Sequence, residues 1–439
     1  MFKETSKELL DFLSKSPTAF HAVENYRQIL NADGFKELLE SEHWDIVPGG
    51  KYYVTRNNTS ILAFKVGTKL DNYSFNIVTS HTDSPTFKVK ENAEIEVKNK
   101  YTQLNTEGYG GMLCATWLDR PLSIAGRVLV SEGNSIVTKL LNIDRDLLMI
   151  PNVAIHMNRA ANDGFKYNLQ VDMLPLLSAS DDRQKDFKQI IADELGVKKE
   201  DILGHDLYLY NRMAPSIWGA NEEFISAGHL DDLQCGFASL KALLAGYNDE
   251  SIDIMACFDN EEVGSGTKQG ADSTLLRDTL VRINSALGKT EEDYHRALAS
   301  SFMLSSDNAH AVHPNHPEHT DATNCTYMNE GVVVKSHAGQ KYTSDGVSMA
   351  VVKALASGAD VPLQYFANRS DKAGGSTLGN IAMAQASMNA VDIGVPQLAM
   401  HSSYETAGIK DTYYAISLMK ALFDSHIQET STHSLEIKR

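Results

Sequence analysis

Cysteine is scarce in this chain, and the little there is does not pair. There are 4 cysteines among 439 residues. Cys114, Cys235, Cys257 and Cys325 are scattered, and no two form a C-x-x-C arrangement. That excludes a disulfide framework and a thiolate zinc site, and it predicts a reducing, cytoplasmic setting. Positive charge is also lacking. The formal net charge is −17, which disfavours nucleic acid or an anionic membrane surface as the main partner, since both require a basic footprint. No apolar run approaches the ~20 residues of a membrane span, and Met1-Phe2-Lys3-Glu4-Thr5-Ser6-Lys7-Glu8 carries no apolar signal core. Internal repeats and low-complexity tracts are missing as well.

What is present is an ordinary globular composition, 42% hydrophobic and 22% charged, in a chain too long for one ordinary core. Helical spacing runs through residues 5–15 and 20–30, broken at Ser16-Pro17-Thr18. Residues 52–54 and 61–64 predict a hairpin around Asn57-Asn58. Residues 75–80 read as a buried strand leading into His81-Thr82-Asp83. From about residue 88 the texture changes to short strands with turns, a glycine-rich stretch at Gly108–Gly111, and a helix over 186–197. Beyond 225, strands alternate with helices over 233–244, 345–357, 376–389 and 410–424. The expectation is an α/β protein. Residues 1–88 and 225–439 would form a discontinuous catalytic domain, a mainly parallel sheet covered by helices on both faces. Residues 89–224 would form an inserted, mostly β domain.

Ligands of such sheets sit beyond the carboxyl ends of the strands, and that is where the reactive side chains fall. Ile252-Asp253-Ile254-Met255-Ala256 reads as a strand that ends on Glu261-Glu262 and the turn Gly264-Ser265-Gly266. Two glutamates in a loop are usually just solvated. A lone His81 or His401 is usually a satisfied polar residue, Asp231 and Asp232 resemble helix caps, and Asp307-Asn308 resembles a turn. Together they read differently, because several histidines and carboxylates at successive strand ends offer the N and O donors of two divalent ions, with Zn²⁺, Mn²⁺ and Co²⁺ all accepted. Asp231 is assigned as the bridge. One ion takes His81, Asp231 and Asp307, and the other takes Asp231, Glu262 and His401. Asp83 is placed to accept the free imidazole N–H of His81. Glu261 remains unliganded as the general base of a metal-assisted amide hydrolysis.

At these residues the sequence resembles the aspartyl aminopeptidase family of dinuclear zinc peptidases. The segments that carry the resemblance are Thr79-Ser80-His81-Thr82-Asp83-Ser84-Pro85, Gly228-His229-Leu230-Asp231-Asp232-Leu233, Phe258-Asp259-Asn260-Glu261-Glu262-Val263-Gly264, Ser306-Asp307-Asn308-Ala309-His310-Ala311-Val312-His313-Pro314-Asn315 and Pro396-Gln397-Leu398-Ala399-Met400-His401. The resemblance implies removal of an N-terminal residue from peptides, with a preference for Asp or Glu. It also implies a homo-oligomer of twelve subunits whose inserted domain makes contacts between chains. It places His156 at a neighbouring subunit's active site, Lys335 and Tyr342 along the substrate pocket, and Gly374 in a loop beside it. One segment departs from the family pattern, since Lys341 precedes Tyr342 and His337 lies in the same loop, which bears on how strict the acidic preference is. The further histidines His310, His313, His316 and His319 read as structural or surface residues. Two other functions remain open: a neutral aminopeptidase or N-deacylase on the same two metals, and a self-assembling shell or cargo protein.

Overall fold

The computed structural model describes residues 1–179, 185–432 and 434–439. Its largest sheet has nine strands. In spatial order they are Lys36–Leu38, Lys51–Arg56, Ser60–Val66, Ser251–Phe258, Ser74–His81, Phe302–Ser306, Asn389–Gly394, Val332–Ser336 and Leu363–Ala367. The four central strands, Ser251–Phe258 through Asn389–Gly394, run parallel. Antiparallel pairings flank them, to Ser60–Val66 on one side and Val332–Ser336 on the other. Asn57 and Asn58, both at positive φ, close the expected hairpin.

Residue alternation along the central strands explains why both faces are covered. Ile252, Ile254, Ala256 and Phe258 point into one core with helices Leu275–Ala286, Glu291–Ala299 and Leu378–Gln385. Met255 and Cys257 point into the other, with helices Phe2–Ser14, Ala19–Ala32, Leu230–Ala245, Gly346–Gly358 and Asp411–Phe423. Strands buried on both faces are apolar without interruption and need this double cover. The fold is therefore the α/β arrangement expected from the sequence, a mainly parallel sheet between two helical layers.

A second, six-stranded sheet is antiparallel throughout. It is built from Ser135–Asn142, Leu122–Glu132, Ile202–Asn211, Thr86–Val97, Tyr101–Tyr109 and Leu176–Ala179. Helix Phe187–Leu195 packs Phe187, Ile191 and Ala192 against it. A third sheet of five short strands, running from Ser216–Trp218 through Phe224–Ala227, Glu405–Gly408 and Pro396–Leu398 to Ala309–His310, was not foreseen. It holds the segments before Asp231 and around His401 side by side. The sequence pattern also extended a helix to residue 389, where the helix ends at Gln385 and Asn389 opens a central strand.

Candidate metal centre

The strand Ser74–His81 delivers His81 to the carboxyl end of the large sheet, where the ring is fully buried. Its main-chain N–H donates to Asp232 Oδ2 at 3.1 Å. Its Nδ1 lies 3.0 Å from the main-chain carbonyl of Asp83 and 3.4 Å from that residue's Oδ1. The nearer partner of the imidazole is thus the Asp83 carbonyl, with the carboxylate behind it. The other nitrogen, Nε2, faces Asp231 Oδ1 at 3.4 Å.

Asp231 and Asp232 stand at the start of helix Leu230–Ala245 with non-helical backbone angles, and the peptide between them is cis. Neither side chain caps that helix. Asp231 instead turns its carboxylate between two imidazoles, with Oδ2 3.5 Å from His401 Nε2. Glu405 holds the backbone in place, accepting the N–H of Asp231 at 3.0 Å and that of His401 at 2.8 Å. His401 Nε2 also lies 3.5 Å from Glu262 Oε1. Donor atoms of His81, Asp231 and Asp307 lie within 4.8 Å of one another, as do those of Asp231, Glu262 and His401. The structure therefore brings together the two triads expected from the sequence, sharing Asp231.

Asp83 has a larger task than orienting His81. Its two oxygens accept the main-chain N–H groups of Glu261 and Glu262, each at 3.1 Å, and Tyr109 donates to it at 2.6 Å. Asn260 in turn donates to the Tyr109 hydroxyl at 2.8 Å. The turn is a single 3-10 helix, Glu261–Val263, between positive-φ residues Asn260 and Gly264. One carboxylate thus fixes where both glutamates leave the strand end.

The glycine-rich stretch of the second sheet also reaches the site. Gly111 accepts from His401 Nδ1 at 2.7 Å, which leaves Nε2 free to face the cluster. Gly110 has a φ of +72°, and a Cβ there would lie 3.1 Å from Glu262 Cβ, so glycine suits both the backbone and the close approach. Tyr109, Gly111 and Glu405 were not singled out as site residues in the sequence, and Asp232 was read only as a possible helix cap. Only the run Gly108–Gly111 gave a signal, and it did not say what the run would touch.

The electrostatics explain what such a cluster requires. Asp83, Asp231, Asp232, Glu261, Glu262 and Asp307 crowd a buried volume that also holds His81, His401 and Lys335. Burial pushes the Glu262 carboxyl far up, with Asp231 adding repulsion. Burial likewise raises Asp307, and it carries Glu261 to about 7. Burial disfavours charge on Asp231 too, but His401 and His81 outweigh it and hold that carboxyl low. His401 is lifted to about 10 because Asp231 and Glu262 prevail over its desolvation. Buried carboxylates in this number need compensating cations. Asp231 Oδ1 and Glu262 Oε1 are buried and accept no hydrogen bond, and they point where a cation would take them up. Imidazole nitrogen with carboxylate oxygen is a donor set that fits zinc.

The remaining expected residues fall in three places. Lys335 is buried, donates to the Asn308 carbonyl at 2.9 Å and sits 3.8 Å from Asp307 Oδ1. Desolvation works against its charge, but Asp307 outweighs it and raises the ammonium. Its Nζ lies 5.8 Å from the Tyr342 ring. Gly374 accepts from Lys341 at 3.1 Å, and a Cβ on it would come within 2.3 Å of Asn368. Asn368 lines a cavity of about 260 Å³ together with His310, Lys372 and Met400, the residue before His401. His156 is exposed in a turn, and among the described residues no hydrogen bond or ion pair joins it to the cluster.

Comparison with known proteins agrees with this geometry. Residues 12–423 match the family described as aminopeptidase I zinc metalloprotease (M18). A probable M18 family aminopeptidase 2 of Clostridium novyi is 48% identical over 425 residues, 95% of this chain and 98% of the relative. Another from Stutzerimonas stutzeri is 38% identical, over 97% and 99% of the two chains. Among solved structures, Ape4 from its complex with Nbr1 superposes with a TM-score of 0.93 at 35% identity, covering 96% of this chain and 86% of that one. The S. cerevisiae mApe1 dodecamer gives 0.84 at 28% identity, covering 96% and 97%.

Proposed function

Because the chain belongs to the M18 family of zinc metallo-aminopeptidases, we propose that its zinc centre holds two ions bridged by Asp231 and that it removes acidic N-terminal residues from peptides. His81, Asp231 and Asp307 would hold one ion, and Asp231, Glu262 and His401 the other. The observation that carries this reading is the pair of triads meeting at one carboxylate, with Nε2 of His81 and of His401 on its two oxygens at 3.4 and 3.5 Å. Ions bound there would acidify water and stabilise a developing oxyanion.

The chain's own residues do the rest. Glu261 lies outside both triads around Asp231, its carboxylate grouping instead with His81 and Glu262, and it takes the proton of the attacking water and hands it to the departing amine. Asp83 keeps Glu261 and Glu262 in register, and Lys335 holds Asp307. An acidic side chain of the substrate is taken up in the cavity beside Met400. Lys372 and His310 line that cavity, and no carboxylate is among its lining residues. Tyr342 packs with Phe366, and Gly374 lies close against Asn368, two residues of that lining. His156 would reach the site of a neighbouring copy. The second sheet, within the inserted domain 89–224, would make contacts between subunits, and the mApe1 dodecamer supports a twelve-chain assembly here.

The test is a panel of Asp-, Glu-, Leu- and Ala-anilides beside N-acyl amino acids. The expected result is fastest turnover on Asp or Glu. Turnover confined to the neutral anilides or to N-acyl substrates would overturn the acidic preference.

A further inference from the structure

His316, Glu318 and His319 form a cluster whose ligand atoms all lie within 4.8 Å of one another, apart from the groups built around His81 and Asp231. All three residues are exposed; His319 also lines the cavity beside Met400, and none of the three belongs to the triads around Asp231. From this geometry we propose a separate, surface site for a transition-metal ion such as Zn²⁺, held by His316, Glu318 and His319.

The turn is built to hold these side chains together. Pro314 and Pro317 restrict the backbone on either side of His316, and Pro317–His319 is a 3-10 turn with Pro in its first positions. The His316 N–H donates to the His313 carbonyl at 3.0 Å and the His319 N–H to the His316 carbonyl at 3.2 Å. Thr320 Oγ1 closes the turn on the Pro317 carbonyl at 2.8 Å, and Arg369 donates to the carbonyl of Glu318. With the main chain fixed, the His316 and His319 rings lie 5.4 Å apart and only 34° from parallel. His316 Nδ1 is already 3.0 Å from Glu318 Oε1.

His313 stacks on His316 at 5.5 Å but is not a ligand in this arrangement. Its Nδ1 accepts the N–H of Asn315 at 3.2 Å, so in the neutral ring the other nitrogen carries the proton. Two imidazoles and one carboxylate are a donor set for zinc, nickel or copper and not for magnesium or calcium. Three protein donors leave further positions to water, as in an open zinc site. A random trio of exposed side chains would have to give up rotamer freedom to converge, whereas here the turn has already restricted the backbone that carries them.

The test is equilibrium dialysis of the zinc-loaded full chain against excess ZnCl₂, comparing the wild type with His316→Ala/His319→Ala. Bound zinc should fall by one equivalent per chain in the variant. Glu318→Gln should retain that equivalent more weakly, and thermal melts should show all three proteins folded alike. Equal zinc content in wild type and double variant would overturn the proposal. A difference between them says nothing about the number of ions at Asp231, because that centre is common to both.

Discussion

Glu261 and Glu262 are neighbours in sequence with different surroundings. Glu262 faces the His401 imidazole at 3.5 Å and has an oxygen without a hydrogen-bond donor. Glu261 lies outside the triads around Asp231, and burial, partly opposed by His81, brings its carboxyl to about 7, which suits a base working near neutrality. The two substitutions should therefore fail in different ways. Glu261→Gln should lower kcat by about 100- to 10,000-fold with bound zinc unchanged, and Glu262→Gln should lose zinc as well as turnover. Metal analysis beside kinetics decides it, and zinc loss from Glu261→Gln would contradict the division of labour. At this scale the sequence was informative about side chains that end strands: His81, the glutamate pair and Asp307 are each a polar break after an apolar run. It was silent about Glu405, Gly111 and Tyr109. Their partners are 174, 290 and 26 residues away in sequence, and no local pattern encodes such contacts.

At the scale of elements, most strands and helices with a long apolar run were legible, and the strand Asn389–Gly394 was not. Asn389–Gly394 lies in the middle of the large sheet, yet it contains Asp392, fully buried. That carboxylate accepts the N–H of Thr343 at 2.6 Å and the hydroxyls of Thr343, Thr377 and Ser305 at 2.8, 2.6 and 3.0 Å. A strand whose polar residue is satisfied by three distant segments does not look like a strand in isolation. Asp253, near the start of another central strand, Ser251–Phe258, is the contrasting case. It receives Ser251 and Asn76 at 2.8 and 3.1 Å, but burial dominates and carries it from 3.8 to about 8. Folding then takes up a proton at this site. Its contribution to stability is complete below about pH 4 and is lost as pH rises through about 8. Asp253→Asn should gain on the wild type in thermal melts as pH rises over that interval. A difference in Tm that does not change with pH would show that Asp253 titrates normally.

For the molecule as a whole, the alternation of strands and helices beyond residue 225 was enough to anticipate a mainly parallel sheet with helices on both faces. The five-stranded third sheet was not anticipated, because its strands are only two to four residues long and are drawn from segments far apart in the chain. That sheet nevertheless sets the distance between Asp231 and His401, through Glu405 at the start of one of its strands. Among the described residues no hydrogen bond or ion pair joins the exposed His156 to the cluster, and its proposed role is in the site of a neighbouring copy. Light scattering behind a sizing column should find a twelve-chain particle, and a monomer at working concentration would remove that role for His156. Whether Asp231 joins a pair of ions is decided by anomalous diffraction at the zinc edge. Two zinc peaks should stand on opposite sides of the Asp231 carboxylate, about 3.5–4 Å apart, one beside His81 and Asp307 and the other beside Glu262 and His401. A single peak, or two peaks that do not share Asp231, would contradict the bridged pair.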